Sequence, residues 1–189
     1  MEEAFAHVRT MISMILGLGI AQLLKNAVKL IDHNKLIKPY PLHLLWVFYV
    51  FLLMTHFWWW EAHLKEIIHW NFAEYFFLIV YTMMYFALCV LIFPDSISEY
   101  KGFKDYFFSK KNWFFSFLIA LFVADFGDTL LKGSAYMDSL HWEYPARNIG
   151  HILLCLLAIK YKNIRFHYAL AVLFIGYEIS FILRHYFTA

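Results

Sequence analysis

Across 189 residues the chain is 62% hydrophobic, 22% aromatic and only 16% charged, where an ordinary soluble domain is about 45–50% apolar and roughly 25% charged. A water-soluble fold has no surface for that much apolar material. The net charge of +2, with lysines scattered over several loops, leaves no electrostatic footprint for direct nucleic-acid binding.

Backbone groups in hydrocarbon must be satisfied internally. The expected fold class is therefore all-α: an integral membrane helical bundle, one transmembrane domain over 1–189. Six apolar runs are predicted as transmembrane helices, at about 5–31, 42–60, 72–93, 113–131, 146–159 and 166–187. At about 20 residues per span they occupy roughly two thirds of the chain, so no loop has room for a catalytic domain.

The chain opens with MEEAFAHVRTM, acidic where a secretory signal is basic, so the first run is expected to stay in the mature protein. That run carries Arg9 near one end and Gln22, Lys25, Asn26 and Lys29 near the other. It spans if the lysine stems snorkel. Gly17 and Gly19 lie within it, where small residues permit a close helix crossing.

Pro39 and Pro41 break the loop before the second helix, and Pro94 stops the third. The loop 94–112, from Pro94 to Asn112, is basic and aromatic. It reads as a solvated, lipid-facing segment, or else as a docking site for a cytoplasmic protein partner. Pro145 suits the first turn of the fifth helix. That helix has only twelve residues between Arg147 and Lys160, roughly 20 Å against a hydrocarbon of about 30 Å, so it must be embedded among other helices or bordered by water. The strings HWNFAE at His69 and HWEYPA at His141 precede the third and fifth helices, a faint internal echo.

Orientation follows from Lys and Arg, which collect in cytoplasmic loops. One side holds Lys25, Lys29, Lys35, Lys38, Lys101, Lys104, Lys110, Lys111, Lys160, Lys162 and Arg165; the other holds Arg9, Lys65, Lys132, Arg147 and Arg184. Six spans make these sets alternate, which puts both termini outside a bacterial inner (cytoplasmic) membrane. Trp46 and Trp113 then mark the inner interface, and Trp58, Trp59, Trp60, Trp70 and Trp142 the outer one. Cys89 and Cys155 fall inside apolar runs and read as small buried hydrophobes.

Charges within a span usually face the bundle interior and mark function. Asp125 and Asp128 share a face of the fourth helix, with Lys132 a turn beyond. Arg147 and His151 lie four apart on the fifth, and Glu178 stands in the sixth before Arg184 and His185. With His56, Glu61, His63 and Glu74 as secondary outer polar residues, they describe an ion or cavity cluster in the outer half of the bilayer. The cluster reads either as a water-accessible cavity for a cation or proton, or as a structural network in which Asp128 pairs with Lys132 and Arg147 neutralises Asp125 or Glu178.

Cofactor hooks are sparse. Glu66 and His69 make one Glu-x-x-His where a di-iron bundle needs two, and His56 with His151 is the one candidate haem pair. No Gly-x-Ser-x-Gly occurs around Ser13, Ser116 or Ser180. The run from Arg147 through Asn148 to His151 is similar to the Arg-Asn-His signature of HEPN ribonucleases, but three residues separate Arg from His where that pattern has at least four. No cofactor and no catalytic residue are expected.

The segments SMILGLGIAQLLKNAVKLI, HLLWVFYVFLLMTHFWWW, LIFPDSISEYKGFKDYF and DFGDTLLKG together resemble a family of small multi-pass bacterial membrane proteins without an assigned function. The resemblance implies bacterial origin and six helices, and carries over no site residue. In size and span count the chain is also similar to membrane accessory or effector proteins of bacterial antiphage systems. The leading expectation is a non-enzymatic, homo-oligomeric protein of the lipid bilayer whose polar cluster serves an ion or proton channel or sensor. The alternative is a defence component acting through a cytoplasmic partner at 94–112, and the third reading is an intramembrane haem or metal redox enzyme.

Overall fold

In a computed structural model describing residues 2–32, 38–67 and 70–186, all regular structure among the described residues is helical, with no strand. The helices are α1 (Glu2–Asp32), α2 (Pro41–Trp60), α3 (Phe72–Leu91), α4 (Phe103–Leu131), α5 (Ser134–Ser139), α6 (Glu143–Lys160) and α7 (Ile164–Tyr186). Short 3₁₀ turns follow α2 (Glu61–Glu66) and precede α4 (Ile97–Glu99). The expected sites at Lys35, His69 and Phe187 lie outside the described residues.

Local sequence explains the helix ends. Pro41 opens α2 at a first-turn position that needs no N–H donor. Asn71 and Glu74 cap α3 reciprocally, each side chain accepting from the other's backbone N–H at 3.1 Å. Asn163 accepts from the N–H of Arg165 at 2.9 Å to start α7. Gly102 (φ 130°) and Gly133 (φ 103°) sit just outside the two ends of α4, in backbone conformations that favour glycine.

Neighbouring helices form a closed ring in the order α1, α3, α4, α6, α7, α2, with α2 also touching α3 and α4. A helix that is apolar all round belongs in the middle, and α2 is the most enclosed of the long apolar helices. Its Trp46 and Tyr49 are fully buried. Trp46 packs edge-on against Phe114, Phe115 and Phe174, with ring centroids 5.2–5.7 Å apart. Trp46, expected at the inner interface, is enclosed by this aromatic core because α2 faces α4 and α7 at that level. Trp113 and Trp142 are exposed, at 65% and 81%.

Among the described residues five helices are long and apolar enough to cross a membrane: 5–30, 41–65, 72–91, 103–131 and 164–186. The fifth predicted span, in α6, is the exception, because its charged residues lower its hydropathy. At 18 residues α6 is about 27 Å long at 1.5 Å per residue, longer than the predicted 146–159.

The largest departure from expectation concerns 94–112, which is not a continuous loop: α4 begins at Phe103. Lys111 is buried at 2% exposure and donates to the carbonyls of Ala158 and Ile159 at 2.9 and 2.5 Å, so it is not part of a solvated loop. A cation at a helix C-terminus satisfies otherwise orphaned carbonyls, which is why α4 and α6 meet there. The glycines divide as well. A Cβ on Gly19 would lie 2.7 Å from Met54 Cε and 3.4 Å from Cys89 Sγ, a true close approach, whereas Gly17 faces open space.

Candidate functional site

The polar residues of the interior concentrate at the end of the bundle where α2 finishes, α4 finishes and α6 begins. Burial in an apolar medium is tolerated only when polar groups are partnered, so the hydrogen bonds trace the site.

The first group is built on α4. Asp125, Asp128, Thr129 and Lys132 recur on one buried face at helical spacing. Lys132 Nζ donates to Asp128 Oδ2 at 2.5 Å and to Glu61 Oε1, in the 3₁₀ turn after α2, at 2.9 Å. The ammonium also lies 5.5 Å from the Trp60 ring. All three side chains are sealed, with Lys132 and Asp128 at 0% and Glu61 at 4% exposure.

Asp125 anchors the second group. Its Oδ2 accepts from Asn148 Nδ2 at 2.6 Å and from Arg147 Nη2 at 3.3 Å, while Oδ1 accepts from the Tyr81 hydroxyl at 3.3 Å. Tyr144 donates to the Asp125 carbonyl at 2.9 Å and accepts from Thr129 at 2.7 Å. The Arg147 guanidinium lies over the Phe181 ring at 4.9 Å and near Tyr144 at 5.7 Å, and its side chain is 8% exposed.

Glu178 of α7 forms the third group, accepting from Nδ1 of His56, whose Nε2 faces the Tyr186 hydroxyl at 3.2 Å. His151 Nδ1 donates to the Arg147 carbonyl at 2.7 Å, and its ring packs on Phe174 with centroids 4.3 Å apart. Arg147 is within electrostatic reach of both Asp125 and Glu178, so it links the second group to the third.

Arg184 stands apart, joining Glu143 at the rim with N–O distances of 2.5 and 2.8 Å. Tyr177 donates to the same carboxylate at 2.9 Å. Donation from Arg184 holds the Glu143 carboxyl down at about 2, from an ordinary 4.5.

The structure thus brings Asp125, Asp128, Arg147, His151 and Glu178 to one end together with His56 and Glu61. It places Arg184 on the rim and separates Glu74, which caps α3. His63 is also separate, bonding the Trp60 carbonyl and leaning on Tyr136 at 4.8 Å. Asn148, Tyr144 and Tyr81 belong to the site, with Glu143 on the rim beside Arg184, and none of the four was predicted. Tyr144, Asn148, His151 and Cys155 are the buried stripe of α6, and their helical spacing is the signal that would have found Asn148 and Tyr144. For Tyr81 no local signal exists.

Three surface grooves reach the site. One of about 260 Å³ runs between α1 and the 3₁₀ turn to Glu61, one of about 460 Å³ between α6 and α7 reaches Arg147 and His151, and one of about 340 Å³ beside α2 reaches His56. Asp125, Asp128 and Glu178 lie behind these partners, at 9%, 0% and 2% exposure. Among the described residues no group of three or more His, Cys, Asp and Glu is set to hold a metal ion, and both nitrogens of His56 are engaged. Compared with family models, curated proteins and solved structures, the chain matches none. The reading of the site therefore rests on its geometry.

Proposed function

We propose that the chain is a multi-pass protein of a bacterial inner membrane whose buried charged end binds a cation or proton and passes it or responds to it, without covalent chemistry. Six spans, with α6 as the fifth and both termini outside, complete the proposal, as does self-association into an oligomer. One observation carries it: among the described residues, four buried acids, Glu61, Asp125, Asp128 and Glu178, face only Lys132 and Arg147 as permanent cations. A purely structural network would balance its charges, because an uncompensated buried charge is strongly destabilising. Here further positive charge is needed, and a proton on His56 beside Glu178 supplies only part of it.

The lipid-facing setting is supported by exposed Leu18, Phe72, Val172 and Leu183 on the outside of the ring. Cysteines placed singly at Asp138 and Lys104 test the orientation: an impermeant reagent added outside labels the first and spares the second, and the reverse pattern refutes it. The mass of the detergent-solubilised particle tests self-association.

Asp125→Asn and Glu178→Gln test the function, read by thermal stability in detergent and by ion and proton flux in liposomes. Flux lost from protein that is still folded supports a working site. Flux that falls only in step with the folded fraction supports a structural network.

A second reading, a defence-system accessory that docks a cytoplasmic protein, is favoured by a groove of about 720 Å³ lined by Lys38, Lys101 and Lys104 at the opposite end. Lysine to glutamine changes at these three positions, with insertion unchanged and partner binding lost, would select it.

A further inference from the structure

Lys132 holds two carboxyl groups on one ammonium, and the two contacts at 2.9 and 2.5 Å bound the separation of the contacting oxygens at the sum of those distances. The carboxyls of Glu61 and Asp128 are thereby held on one Nζ, from the turn after α2 and from the end of α4. Their remaining oxygens, Glu61 Oε2 and Asp128 Oδ1, are buried with no partner among the described residues. The residues themselves are 5% and 0% exposed.

One ammonium balances one carboxylate. If both acids were ionised, the unit would carry a net negative charge in a sealed site, with two buried anionic oxygens left without partners, and both features oppose burial. A trapped water would occupy lone pairs and leave the charge unbalanced. A metal cation needs several oxygen ligands, and no third acidic, histidine or cysteine ligand joins the pair among the described residues. A proton answers both needs at once, since it neutralises one carboxyl and supplies the missing donor to the other.

We propose that Glu61 and Asp128 share a single proton, forming with Lys132 a neutral unit that exchanges this proton through the groove between α1 and the turn after α2. The groups facing the unit are Asp125 from α4, Tyr81 and Tyr85 from α3, Tyr136 from α5, and Lys65 and Arg9 along the groove. Arg9 and Lys65 disfavour further positive charge in the groove.

The proposal deepens the functional reading above by naming the proton's site, and rests on that reading only for the use made of the exchange. Its test therefore reads the carboxyl and not the flux. Infrared spectra of the purified protein at neutral pH should show the carbonyl stretch of a protonated, buried carboxyl that shifts in D₂O. Glu61→Gln and Asp128→Asn should each remove that band entirely, because each leaves one carboxylate matched to Lys132 and an amide N–H in place of the acid O–H. Thermal unfolding checks that the variants fold, and Glu61→Gln, at the groove edge, is the one better able to tolerate the change.

A wild-type spectrum without the band, or a band surviving in both variants, overturns the proposal. So does a missing band accompanied by sodium-dependent stabilisation that Glu61→Gln abolishes, which would assign the site to a cation. Ala62→Trp, which fills the groove, should slow the D₂O shift severalfold; an unchanged rate overturns the route.

Discussion

Replacing Lys132 by methionine removes the charge that two sealed carboxyls share while keeping most of the stem's volume. The magnitude can be reached in two ways. Removing one member of a buried ion pair costs about 3–5 kcal/mol by stranding the other charge. Counted by bonds, Lys132 donates at 2.9 and 2.5 Å to Glu61 and Asp128, and hydrogen bonds to charged groups contribute about 1.5–3 kcal/mol each. The two estimates overlap, so Lys132→Met should lose about 3–5 kcal/mol. Glu61→Gln alone should cost under about 1 kcal/mol, since its amide can donate to Asp128 as the shared proton does. The triple change Lys132→Met, Glu61→Gln and Asp128→Asn leaves no stranded charge and should recover most of the loss. Equilibrium unfolding in mixed micelles measures all three. A Lys132→Met protein within about 1 kcal/mol of wild type, or a triple variant no more stable than the single one, would refute the reasoning.

Three further outcomes follow from particular contacts. Gly17→Ala, in open space on α1, should stabilise by about 0.5–1 kcal/mol, while Gly19→Leu, driven into Met54 and Cys89, should cost about 1–3 kcal/mol; thermal melts that reverse this order would mean α1 does not cross the bundle at Gly19. Lys111→Met should cost about 1.5–3 kcal/mol by leaving the Ala158 and Ile159 carbonyls without their charged donor, seen as faster amide exchange at the end of α6. Because the Glu143 carboxyl is held down at about 2 from 4.5 by Arg184, the pair's contribution is full above pH 4.5 and is lost as the pH falls towards 2. Glu143→Gln should flatten the stability curve in that window and lower stability at neutral pH by the same small amount, under about 1 kcal/mol, since Arg184 is 46% exposed.

The helices were legible because apolar runs and proline punctuation coincide with their ends, as at Pro41 and Pro94. The start of α4 was not, since Lys104, Asp105, Lys110 and Lys111 dilute the hydropathy of its first turns; Gly102, just before it, was the sign of a new helix. Within the site, the shared face of Asp125, Asp128 and Lys132 could be read from spacing alone. Which partner each charge takes could not. Glu61 and Lys132 are 71 residues apart, and His56 and Glu178 are 122 apart, so these pairings are set by α2 packing against both α4 and α7. Trp46 shows the same limit: a tryptophan near a helix end suits an interface by composition, and its burial is decided by phenylalanines on α4 and α7.

The proposed function requires that the excess of buried acid at one end of the bundle be neutralised by a mobile cation or proton. Liposomes carrying the purified protein test it most directly, through the decay of an imposed pH or sodium gradient per folded molecule. Decay should be faster than in empty liposomes and abolished by Glu178→Gln in protein that still melts cooperatively. Decay no faster than in empty liposomes for either gradient, from folded wild-type protein, would contradict it.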